Sequence, residues 1–198
     1  MSRLTLLLAG GLLAAGAGLA ATDALSLQLA DQFQQKVLVV VQNASTDSSA
    51  PRETPIAESE LNSYLRFRAG DQLPVGVTDP AVTLIGQGRV TARAVVDLDV
   101  IRQKQGSGSW FDPMRLLRGR LPVSTTGALV TNQGMARFDL ERVDVSGVPV
   151  PKRVLQEIVS YYTKSADRPN GVGLDEDFAL PAQIRRLDVE AGRAIVVQ

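Results

Sequence analysis

Histidine and cysteine are both absent from the 198 residues. Without imidazole or thiol, the chain has no Ser-His-Asp or Cys-His nucleophile. It has no thiolate or imidazole metal site and no disulfide, and a lipid-modified N-terminal cysteine is excluded with them. Acid–base chemistry is left to Asp, Glu, Lys and Tyr. Net charge is also lacking, since 21 Lys and Arg balance 21 Asp and Glu. A nucleic-acid interface needs a basic footprint, and an aromatic content of 5% gives few platforms for base stacking. Nucleic acid is therefore not an expected partner, and no cofactor is implied. What is present is ordinary apolar content, 44%, enough for one domain with a modest core.

The first apolar stretch is N-terminal. Arg3 precedes a run from Leu4 to Ala21, rich in Leu, Ala and Gly. A short positive start, an apolar centre and small residues at Ala20 and Ala21 fit a secretory signal. The same run, at 18 residues, just reaches the length of a membrane anchor. Residues 1–21 are expected to be one or the other, which puts the remainder in the periplasm or another extracytoplasmic space. Residues 22–53 read as a helix over Asp23–Gln42 followed by a polar linker. In the helix Leu25, Leu29, Phe33 and Val37 recur every fourth position, although the β-branched run after Lys36 also suits a strand.

Residues 54–198 read as a single α+β domain. Thr54-Pro55 predicts a helix start, with Ile56, Leu61, Tyr64 and Leu65 on one face and an end near Gly70. The strongest periodic signal follows. Val90, Ala92, Ala94, Val96, Leu98 and Val100 alternate with mixed residues, which predicts a long strand with one dry face. Gly86-Gln87-Gly88 joins it to a strand over Val77–Leu84. Leu121–Val130 and Ala136–Val145 form a second hairpin around Asn132-Gln133-Gly134. Pro151 opens a helix over Lys152–Lys164, carrying Val154, Leu155, Ile158, Val159 and Tyr162. Ile184–Val189 and Ala194–Val197 close the chain as a third hairpin. The expected sum is about six strands in one antiparallel sheet with helices on one face.

Other chemistry is thinly signalled. Gly106-Ser107-Gly108-Ser109 reads as a loop, and Asp112-Pro113 as the start of a short helix through Leu117. Trp110, Phe111 and Met114 form an apolar cluster suited to the core or to a membrane-touching edge. Asp97 and Asp99, two apart on the predicted strand, face the same way, and Asp175, Glu176 and Asp177 cluster in a loop. Such groups suit a carboxylate pair or a calcium site and equally suit a solvated surface. The chain is expected not to be an enzyme.

Four segments carry a resemblance. They are Ile56-Ala57-Glu58-Ser59-Glu60-Leu61-Asn62-Ser63-Tyr64-Leu65, the strand from Gly88 to Val100, Val145–Pro151 leading into a helix, and Leu180-Pro181-Ala182-Gln183-Ile184 leading into a hairpin. In this succession residues 54–198 resemble small bacterial envelope proteins of the YpmS-like kind, akin to the tubular lipid-binding (TULIP-like) superfamily. The resemblance implies a strongly curved antiparallel sheet wrapped around a long helix, with an acyl-chain groove between them. The expected partner is a lipid or other long apolar ligand, with contact to a membrane surface. Expected groove residues are Leu61, Leu65, Val96, Leu98, Phe138, Leu140, Leu155 and Ile158. The other reading open from the sequence is an envelope interaction protein with the same fold and a filled core. In that reading a sheet edge such as Ala194–Val197 accepts a partner strand.

Overall fold

A computed structural model describes residues 24–46, 50–105, 118–163, 169–171 and 173–198. The expected N-terminal signal, the Gly106–Ser109 loop, the helix at Asp112 and the Trp110 cluster lie outside them.

The chain is α+β. It opens with helix α1 (Leu27–Ala44), strand β1 (Glu53–Ala57) and helix α2 (Glu58–Phe67), followed by one 3-10 turn at Gly70–Gln72. A hairpin of β2 (Val77–Gly86) and β3 (Arg89–Asp97) leads into α3 (Leu98–Gln105). A second hairpin, β4 (Arg120–Asn132) and β5 (Met135–Val145), leads through β6 (Val148–Pro149) to α4 (Lys152–Thr163). Then come β7 (Phe178–Ala179), β8 (Arg186–Glu190) and β9 (Arg193–Val197).

The strands form two sheets rather than the one expected. The larger has six antiparallel strands in the order β2-β3-β4-β5-β6, with β7 also paired to β5. The smaller has the order β1-β9-β8. The larger sheet is not strongly curled, and the long helix α1 packs on α2 and β1 instead of lying in its embrace.

Two expected boundaries move for local reasons. The strand expected to run through Val100 stops at Asp97, because the Asp97 carboxylate accepts from the N–H groups of Asp99 and Val100 at 3.0 and 3.1 Å. Free helical N–H groups need such an acceptor, so Leu98 and Val100 belong to α3. The helix expected at Thr54-Pro55 begins instead at Glu58. Pro55 lies in the edge strand β1, opposite Ile195, a position where a missing N–H is tolerated. Glu60 satisfies the helix start, accepting from the Ala57 N–H at 2.8 Å. The β-branched run in α1 is helical.

The β2–β3 and β4–β5 hairpins turn through two residues of positive φ, Gln87-Gly88 and Gln133-Gly134, as does the short β5–β6 hairpin at Ser146-Gly147. These are the left-handed conformations that tight hairpins require. The first two turns come out at the same end of the sheet, where β8 crosses them. Gly88 N–H donates to Val189 O at 3.2 Å and Gly134 N–H to Arg185 O at 2.9 Å. Between them Thr131 Oγ1 both donates to Leu187 O and accepts from Leu187 N–H, each at 3.1 Å. Leu84, Ala136, Val189 and Val196 are buried around this junction.

Candidate apolar binding site

Strand register decides which side chains share a surface. In the large sheet Val82 and Leu84 of β2 stand opposite Ala92 and Val90 of β3. Ala94 and Val96 stand opposite Val123 and Leu121 of β4. Further along, Leu129 is opposite Phe138, Gly127 opposite Leu140 and Val123 opposite Val145. Cross-strand partners point to one side, so these residues tile a single apolar face across four strands. Gly127 leaves room on that face for the Phe138 ring: a Cβ there would lie 2.7 Å from the ring's Cζ.

Leu84 and Val143 are buried, but Val96, Leu121, Val123, Leu129, Phe138, Leu140 and Val145 remain partly exposed. The small sheet covers the hairpin-tip end, and α3 and α4 reach the sheet at β4 and β5. The apolar face therefore extends beyond the closely packed junction.

The opposite face is mixed, with Val95, Ala128 and Val130 among charged residues that pair with one another. Arg142 donates to both oxygens of Asp144 at 2.6 and 2.7 Å, and Arg137 donates to Asp139 at 2.6 Å. Arg89 pairs with Glu141 at 2.7 Å, and the hydroxyls of Thr91 and Thr126 meet at 2.8 Å. Its hydrogen bond from Arg137 holds the Asp139 carboxyl below the usual carboxylate range. Arg142 does the same to Asp144, and both guanidinium groups are raised in turn by their carboxylates. One wet face and one dry face is a common arrangement for an antiparallel sheet.

The outer edge of β2 is occupied. The Asn62 side chain stands in for a neighbouring strand along β2: Nδ2 donates to Val82 O and Oδ1 accepts from Val82 N–H, both at 2.7 Å. Glu58 Oε2 accepts from Leu84 N–H at 2.7 Å, and Gly192 N–H donates to Leu84 O at 2.9 Å. Pro80 contributes no N–H on the same strand. β9, expected as an edge open to a partner strand, is instead the central strand of the small sheet. Its hydrogen bonds are taken by β1 and β8, so it cannot accept another strand.

Beside the β2 edge lies a groove of about 800 Å³, with Leu25, Leu65, Phe67, Leu73, Val77 and Pro80 among its walls. That size falls within the range of small-molecule sites, although the groove is widely open to solvent.

The expected groove residues separate into groups. Val96, Phe138 and Leu140 share the apolar sheet face. Leu155 lies in α4, which packs on β5, and Ile158 lies in the same helix. Leu98 is buried at the first position of α3. Leu61 and Leu65 are on α2 at the β2 edge, where Leu65 lines the side groove. The sequence reading missed Val82, Leu121, Val123, Leu129, Val143 and Val145. Their alternation was visible, but their common face required the register.

The carboxylates take structural roles. Asp97 caps α3, and Asp99 accepts from Gly119 N–H at 3.0 Å. Asp175 pairs with Lys152 at 2.7 Å and Asp177 approaches Arg137 at 3.9 Å. The paired-strand geometry expected of Asp97 and Asp99 is lost, because Asp99 is helical. Among the described residues no group of three or more carboxylates is placed to hold a metal.

No protein-family model matches the chain, and no curated protein matches it.

Proposed function

We propose that this is a non-catalytic lipid-binding protein of the bacterial cell envelope, which holds acyl chains against the apolar face of its larger sheet. The observation behind this reading is that face: four strands of aligned apolar side chains, most of them half-buried, with the charged pairs confined to the face behind. Apolar side chains left partly accessible along one sheet face can mark an interaction site. An acyl chain of sixteen carbons gains roughly 12 kcal/mol gross on burial, at about 0.8 kcal/mol per methylene. A bilayer offers nearly the same gain, so exchange between protein and membrane is close to balanced, as a carrier or sensor requires. Kinship with the tubular lipid-binding proteins belongs to the same proposal. The order of elements from α2 to β9 supports it, and a sheet that is not strongly curled does not.

The test is native mass spectrometry, with lipid extraction, of protein purified from its host's envelope. A stoichiometric lipid adduct is expected, and the extract names the ligand class. A clean apo mass, together with no uptake from vesicles, would overturn the reading in favour of an interaction protein with a filled core.

A further inference from the structure

Helix α1 has two faces. Its inner face is fixed to the rest of the chain. Ser26 caps it through Leu29 N–H and donates its own N–H to Ser63 Oγ, both at 3.2 Å. Phe33 stacks on Tyr64 with ring centroids 4.7 Å apart. Ala30 and Val40 are buried. The helix has only two charged side chains, and both are neutralised: Asp31 is paired with Arg68, just past the end of α2, at 2.6 Å, and Lys36 with Glu60 of α2 at 2.7 Å.

One lateral stripe of the helix carries no charge itself and is bordered by the half-exposed Asp31–Arg68 pair. Leu27, Leu38 and Val41 are exposed by 55, 54 and 52%, and Val37 beside them by 39%. At 100° per residue Leu27, Gln34, Leu38 and Val41 fall within about 60° of one another on one side of the helix, with Val37 at the border beside the buried Ala30. Just upstream is the uncharged run Leu4–Ala21, which ends six positions before Leu27 (27 − 21). Six residues reach at most about 20 Å.

We propose that this flank of α1 lies on the surface of a lipid bilayer entered by the Leu4–Ala21 run. Among the described residues no helix is long and apolar enough to cross a membrane, so α1 rests on the interface instead of spanning it. Interfacial helices bury an apolar flank in this way. A second copy of the chain is the poorer occupant. A stripe from Leu27 to Val41 is roughly 21 Å long by the helical rise. At a width of about 10 Å it covers ~200 Å², against about 800 Å² per partner for a standard interface. Tethering removes that requirement for a membrane, because an anchored segment holds its neighbour at high effective concentration. The inference rests on the upstream run entering a bilayer and not on ligand uptake by the sheet.

The absence of cysteine makes the test direct. Leu38→Cys and Val41→Cys in the full chain are each labelled with an environment-sensitive nitrobenzoxadiazole dye. Arg153→Cys, at a side chain 90% exposed on α4, is the reference. The proteins are reconstituted into vesicles of phosphatidylethanolamine and phosphatidylglycerol, and flotation records binding in the same samples. The expected result is a blue shift at residues 38 and 41, quenched by lipids with a shallow nitroxide, and no shift at residue 153. Water-like emission at 38 and 41 in floated protein would overturn the proposal, as would failure of the full chain to float. A blue shift without vesicles that grows with protein concentration would also overturn it, in favour of self-association.

Discussion

At the scale of single residues, Asn62 is the most consequential side chain outside the apolar face. Its amide offers one donor and one acceptor at the spacing of a peptide group, and it uses both on Val82. Replacing it with Leu leaves a part-buried N–H and C=O without partners. Unmade bonds of this kind cost about 1–3 kcal/mol each, so Asn62→Leu is expected to lose about 2–3 kcal/mol in urea unfolding. Asn62→Asp, which keeps the acceptor and loses the donor, should fall between the two. A second expectation concerns acid. The Asp139 and Asp144 carboxyls are depressed by Arg137 and Arg142. A depressed carboxyl contributes stability that is present above its unfolded-state value, near 3.9, and is lost as the pH falls through its folded value. Unfolding of the Arg137→Gln/Arg142→Gln double variant and the parent should therefore differ at neutral pH and converge below about pH 4. The difference should shrink in high salt, since both pairs are exposed. Equal separation at all pH values would show that the pairs contribute nothing.

At the scale of elements, the hairpins and the start of α4 after Pro151 were legible in the sequence, and the starts of α2 and α3 were not. Gly88 and Gly134 end turns that need positive φ, and little but glycine meets that demand cheaply. A cap competes with a strand for the same residues, however. Asp97 fits an alternating pattern and also fits an N-cap, and the cap wins because the N–H groups of Asp99 and Val100 need an acceptor. Thr54-Pro55 has the form of a helix start but pairs with β9, since the strand contacts outweigh a local preference. The junction between sheets was not legible at all. It depends on Thr131, an unremarkable strand residue, meeting Leu187 from 56 positions away. Thr131→Val keeps the shape and removes both hydrogen bonds. It should cost about 1–3 kcal/mol, and the Leu187 amide should lose most of its hydrogen-exchange protection. Unchanged protection at Leu187 would mean that the small sheet is held by packing alone.

At the scale of the whole molecule, the candidate site is a face and not a pocket of convergent polar groups. A single charge placed on it should therefore abolish ligand retention without unfolding the chain. Val96 is suited to this, being on the apolar face and partly exposed, so that a carboxylate there can still reach water. Val96→Glu is expected to keep the parent circular dichroism spectrum and to lose the co-purifying lipid. Retention of lipid by a folded Val96→Glu protein would move the binding site elsewhere, with the groove beside Leu65 as the next place to look. What the sequence determined by itself is local: where the chain alternates, where it turns, and which chemistries its missing histidine and cysteine remove. These follow from neighbours a few positions apart. The tertiary structure decided that the closing hairpin joins β1 in a second sheet, that β9 is central, that Asn62 seals β2, and that Val96, Phe138 and Leu140 share one surface. Each of these depends on pairing between segments distant in the chain, where the contacts that win are set by register and burial, which no short window of sequence contains.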